Sequence, residues 1–149
     1  YLSGANLSQA NLFWANLSEA KIDSHPLNIL KFQEGDIYAF KFTDKGNLSP
    51  IVMTLNLGNK KQKVYTIGAT ITEDDYNSDP RVLCGGGLHV ADMNWIRNNF
   101  YIGKILLVKF TKEDIVAIPY ASDGKFRVKK LTVVREISMD EINTTIGKS

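Results

Sequence analysis

Cysteine is almost missing from this chain of 149 residues, which has Cys84 and no other. An internal disulfide is excluded, folding makes no demand for an oxidising compartment, and a cytoplasmic location is expected. Histidine is nearly as scarce, with His25 and His89 alone. With one thiol they fall short of the four ligands of a structural zinc site, so no metal is expected, and no cofactor motif is legible. No apolar run approaches the roughly 20 residues that span a bilayer, and the N-terminus lacks the charged-then-apolar order of a secretory signal, so no membrane partner is expected. Charge of one sign is also in short supply. The net charge is +2, too little to imply nucleic acid or anionic lipid as a partner. The run Lys125, Arg127, Lys129 and Lys130 reads as the solvated face of a strand. With 44% hydrophobic and 23% charged residues the chain is neither disordered nor fibrous, and its length suits one core plus a short appendage.

What is present begins with a repeat. Leu2, Leu7, Leu12, Leu17 and Ile22 recur every five residues, with Ala5, Ala10, Ala15 and Ala20 two positions ahead and Asn6, Asn11, Asn16 and Lys21 between. A helix is a poor account of this spacing, because five residues advance about 140° and the leucines then share no face. The pattern resembles the pentapeptide-repeat family, A-(D/N)-L-x-x, over residues 1–23. That resemblance implies a right-handed quadrilateral β-helix with the large aliphatic side chain inside each coil. A single coil buries no continuous core, and Tyr1 opens in mid-repeat without an initiator Met, so residues 1–23 are expected to be the last coil of a longer solenoid. Phe13 and Trp14 occupy variable positions and are the candidate interaction surface, with packing against the following domain as their other use. Asp23-Ser-His-Pro26 breaks the period, and residues 24–34 read as a linker.

From residue 35 the pattern alternates. Ile37, Ala39 and Lys41 interleave with Tyr38, Phe40 and Phe42, predicting a strand over 36–43, followed by a turn at Asp44–Asn47 and a hairpin partner at Ile51–Leu57. Lys63–Ile67 reads as another strand, with Gly68 a bulge. The acidic stretch Glu73–Pro80 lacks the spacing and the glycine of a calcium loop and reads as a solvated loop.

The oddest chemistry follows, in Arg81-Val-Leu-Cys-Gly-Gly-Gly-Leu-His-Val90. Gly85, Gly86 and Gly87 permit positive φ and close approach of a ligand or another backbone, and with His89 they are the candidate ligand-binding residues. They spell neither a phosphate loop nor a dinucleotide fingerprint. Cys84 and His89 form a candidate nucleophile–base pair, with Asp92 as the third catalytic candidate and Asn94 or Glu113 as further helpers. Against that stands the reading of Cys84 as a small buried hydrophobe and His89 as a core residue. A helix is expected over Asp92–Phe100, a central strand covered on both faces over Lys104–Phe110, and a strand over Ile115–Ile118. A long strand whose facing switches by a bulge is expected within 125–136, and a closing helix over 139–146 behind the capping box Ser138–Glu141.

The order Gly35-Asp-Ile-Tyr-Ala-Phe-Lys41, Cys84-x-x-Gly87-Leu-His-Val90, Lys104–Phe110, Glu113–Pro119 and Lys125–Glu136 is similar to the C-terminal domain of the RIIB-type rapid-lysis proteins of bacteriophages. It departs at Leu131 and Thr132, where that pattern has an aromatic. The resemblance covers about 35–137 and implies a phage- or virus-related context without naming a reaction.

The expected architecture is α+β: the last coil of a quadrilateral β-helix (1–23), a linker (24–34), and a compact, mostly antiparallel or mixed sheet with one or two short helices (35–149). The expected function is a non-catalytic module that binds an unidentified protein partner. A small enzyme using Cys84 and His89 on a nucleotide or acyl substrate is the alternative. A DNA-mimic that binds a topoisomerase is a second, weakened by the low negative charge of the coil, with Glu19 beside Lys21.

Overall fold

The computed structural model describes residues 25–47, 63–99 and 102–147. The repeat of residues 1–23, with Phe13 and Trp14, and the hairpin partner at Ile51–Leu57 lie outside them.

Within the described residues the protein is α+β, a seven-stranded antiparallel sheet with short helices. The strands are β1 (Ile37–Thr43), β2 (Thr70–Thr72), β3 (Leu88–Ala91), β4 (Lys104–Phe110), β5 (Ile115–Ala117), β6 (Lys125–Val128) and β7 (Lys130–Ile137), in the order β2-β7-β4-β1-β3-β6-β5. Two α-helices, α1 (Met93–Asn99) and α2 (Met139–Gly147), and two 3₁₀ helices, over Pro26–Phe32 and Lys112–Asp114, complete the described residues.

Alternation in β1 sends Ile37, Ala39 and Lys41 to one side of the sheet and Phe40 and Phe42 to the other. β4 supplies the longest ladder, from Ile37↔Phe110 to Thr43↔Lys104, and carries apolar residues on both faces as a central strand must. Two cores result. The inner one gathers Ile37, Val90, Leu106, Val108, Phe126 and Leu131 among others. The outer one gathers Ala91, Ile96, Ile105, Ile137 and Ile142 beneath α1 and α2.

The expected single long strand is two strands. Lys129 is the corner: its N–H donates to Asp114 O and its carbonyl accepts from Glu73 N. Before the corner β6 pairs with β3, and after it β7 pairs with β4, so one continuous stretch flanks both ends of the run β4-β1-β3 and curls the sheet around the inner core. The facing switch also has a bulge, at Val134: Leu107 pairs with Arg135 while Val108 pairs with Val133. One extra residue reverses the parity, so Val133 faces the inner core and Ile137 the outer.

Other expectations shift. Lys63–Ile67 makes no regular strand; the regular pairing lies at β2 instead, with Gly68 in the turn before it at φ +87°. The stretch read as a linker holds the first 3₁₀ helix, whose Leu27 and Leu30 pack on the inner core. The closing helix is capped as read: Glu141 N donates to Ser138 Oγ at 3.1 Å and Ser138 N to Glu141 Oε1 at 3.3 Å.

Candidate functional site

β3 and β6 set His89 directly opposite Arg127. Their neighbours Leu88, Val90, Phe126 and Val128 fill the inner core, so His89 and Arg127 share the opposite face. The segment 73–87 folds over that face. Arg127 is wholly buried, at 0% exposure. Its guanidinium donates to four main-chain carbonyls: Nε to Asn77 at 2.9 Å, Nη1 to Val82 at 2.6 Å and Leu83 at 3.3 Å, and Nη2 to Asp79 at 3.0 Å. A planar five-donor fork can gather an irregular loop in this way, where a lysine ammonium cannot. Burial pulls the Arg127 pKa down, while Cys84 and Asp79 act the other way. The basic run read as a solvated face is thus divided: Lys130 is exposed, Lys125 and Lys129 are half-buried, and Arg127 is interior.

The loop holds itself together beneath this clamp. Asn77 N donates to Gly86 O at 2.9 Å, closing the segment. Asn77 Oδ1 accepts from Asp79 N, and Asp79 Oδ1 from Arg81 N. The Arg81 guanidinium grips the Asp79 carboxylate and lowers its pKa.

The glycine triplet is filled by protein. A Cβ on Gly85 would lie 2.8 Å from Asn77 Cβ, one on Gly86 3.0 Å from Asp75 O, and one on Gly87 3.3 Å from Arg127 Cβ. Gly87 also sits at φ +131°. The close approach that glycine allows is here an approach of the protein's own loop, at Asp75 and Asn77, and of β6, at Arg127.

His89 Nε2 lies 2.7 Å from Gly85 O, so Nε2 carries the proton, while Nδ1 is buried without a partner among the described residues. Burial pushes the His89 pKa down to about 4, with Lys41 adding to the effect, while the Gly85 carbonyl opposes it. The imidazole is neutral at physiological pH. Cys84 is exposed, contrary to its reading as a buried hydrophobe. Its Sγ receives Lys125 Nζ at 3.5 Å, and that ammonium also lies 5.7 Å from the Trp95 ring centroid. Asp92 is occupied as the cap of α1, its Oδ1 accepting from Trp95 N at 2.9 Å. Asn94 and Glu113 are exposed.

The residue that sequence reading passed over is Lys41. It is 3% exposed; Nζ donates to His89 O at 2.8 Å and lies 4.8 Å from the Tyr65 ring centroid. β1 and β3 register at a single pair, Phe40↔Ala91, and the ammonium bonds the main chain of β3 across from it. Burial, assisted by Lys125, lowers its pKa to about 7. The signal was its place on the Ile37 and Ala39 side of an alternating strand.

Among the described residues no group of three or more His, Cys, Asp or Glu side chains is placed to hold a metal ion, and no helix is long and apolar enough to cross a membrane. No protein-family profile, curated protein or solved structure matches this chain.

Proposed function

We propose that this chain is a non-catalytic protein-interaction module, a pentapeptide-repeat coil joined to a domain of the RIIB C-terminal type. The observation that supports this reading is where the polar groups of the central motif go. Arg127 donates to four loop carbonyls, His89 Nε2 to Gly85 O, and Lys41 to His89 O. Catalysis needs an acid, base or donor free to reach substrate. The Arg127 and Lys41 donors and the His89 Nε2–H are committed to the fold, and the His89 imidazole, its pKa lowered by burial to about 4, is a weak base at neutral pH. The protein partner and the phage-related context follow from the sequence resemblances.

The alternative, a Cys84–His89 nucleophile, makes the opposite demand on the thiol. If His89 activates Cys84, substituting the imidazole slows thiol labelling. The interaction-module reading expects the rate of maleimide labelling at pH 7 to be the same in the unsubstituted protein and in His89→Gln, with both folded by circular dichroism. A fall of about tenfold or more would overturn it in favour of the enzyme.

A further inference from the structure

The sheet has one weak joint. β1 registers with β4 at seven pairs and β3 with β6 at four, yet β1 and β3 register at Phe40↔Ala91 alone. Beyond that pair no residue of Lys41–Thr43 registers with Leu88–Val90. A side chain makes the link there: Lys41 Nζ donates to His89 O at 2.8 Å and lies 4.8 Å from the Tyr65 ring centroid. Lys41 is 3% exposed. Among the described residues no carboxylate pairs with it, and residues 48–62 contain neither Asp nor Glu. The groups packed around it bring no compensation. β3 presents His89, neutral above about pH 4, and β6 the cations Lys125 and Arg127. β4 sets apolar Leu106 opposite Lys41, and the segment 63–67 presents Tyr65, whose pKa is pushed up by burial and by Glu73. An ammonium in such surroundings lacks most of what water would give it.

We infer that the β1–β3 seam is a proton-operated joint: binding a proton at Lys41 Nζ opens its Lys41–His89 end, and releasing that proton to solvent closes it. In the closed state burial favours the neutral amine, which still donates to His89 O. In the open state water solvates the ammonium and its pKa returns to 10.5, against about 7 when closed. The open state therefore binds more protons between those values, and its population grows as pH falls from 10.5 to 7. Opening reaches the central motif, because His89 takes Lys41 on its carbonyl and holds Gly85 O with its ring. The stretch with exposed Arg81, Leu83 and Cys84 runs directly into the strand that moves.

Hydrogen exchange on the full chain between pH 6.5 and 8.5 tests this. A residue's N–H and C=O share one strand edge, and His89 O turns to β1, so the amides of His89 and Ala91 lie on the seam. After correction for intrinsic rates, their opening constant is expected to rise about twentyfold from pH 8.5 to 6.5. It should also exceed that of the Val108 amide in β4 and be insensitive to dilute urea, because a local opening exposes little surface. Lys41→Met should remove the pH dependence. An opening constant that stays flat with pH, or a pH dependence that survives in Lys41→Met, overturns the joint. Urea-sensitive exchange equal to that of Val108 also overturns it, by assigning the proton to global unfolding. Should Lys41→Met fail to fold, NMR titration of the Lys41 side chain in the unsubstituted protein decides. A midpoint near 7, in step with the seam amides, supports the joint, and one near 10.5 overturns it.

Discussion

Two buried cations carry most of the unusual physics, and they behave differently. Arg127 is satisfied by four carbonyls, whereas Lys41 has one carbonyl and the face of Tyr65. Removing the guanidinium strands those carbonyls beneath the loop. Arg127→Met is therefore expected to cost about 3–5 kcal/mol in urea denaturation, with amides of 77–87 exchanging first. A loss below about 0.5 kcal/mol would refute the clamp. Lys41 is the reverse case, a cation that burial works against. Its folded pKa of about 7 lies below the ordinary 10.5, so the unfolded state binds more protons between those values. Stability from this group is fully present above pH 10.5 and is lost as pH falls to 7. Lys41→Met should flatten that slope, and at pH 7 the variant should be more stable by about 1 kcal/mol or more, net of the acceptor left on His89. Melting temperatures of the two proteins across pH 6–10 check the sign. A variant that loses stability at every pH would show that the bond to His89 O outweighs the burial penalty.

At the scale of elements, parity governs. β7 serves the inner core with Leu131 and Val133 and the outer core with Ile137, which a regular strand cannot do with residues an even number apart. Val134 makes the change. Deleting Val134 should only make the ladder regular and keep Ile137 on the outer face, whereas inserting one alanine after Val134 should leave Val133 in place and turn Ile137 toward the wrong face, losing its burial and the docking of α2, at about 2–4 kcal/mol by urea denaturation. An unchanged midpoint would mean the bulge migrates at no cost. Much at this scale was readable in the sequence. The Ile37, Ala39, Lys41 alternation gave β1, the doubly apolar run gave β4, and Ser138 with Glu141 gave the cap of α2. The strand expected at Lys63–Ile67 was less legible, because a β-branched run reports propensity and says nothing of which partner edge lies within reach.

At the scale of the whole molecule, the two cores share their strands. β1 and β4 each contribute side chains to both, so neither core survives loss of the other. In a Trp14→Phe background Trp95 reports on the outer core, and its fluorescence should change in one transition with far-ultraviolet circular dichroism. Val108→Ala in the inner core and Ile96→Ala in the outer, both at 0% exposure, should each shift that same transition by about 1–5 kcal/mol. Separate transitions for the two probes would disprove the coupling.

The sequence by itself determined the class and most of the elements, because alternation, capping and turn residues act over a few positions of chain. It also marked residues 81–90 as exceptional. What it left open was the use of that motif, since a triple glycine permits close approach without naming what approaches. Only the tertiary structure decided that Asn77, Asp75 and Arg127 fill those spaces, that His89 turns to Gly85, and that Cys84 stays exposed. Those outcomes depend on a corner at Lys129 and a register that sets His89 opposite Arg127, contacts between residues distant in the chain, such as Glu73 with Lys129 and His89 with Arg127. Local pattern carries no such information, because burial of a charge depends on what folds over it.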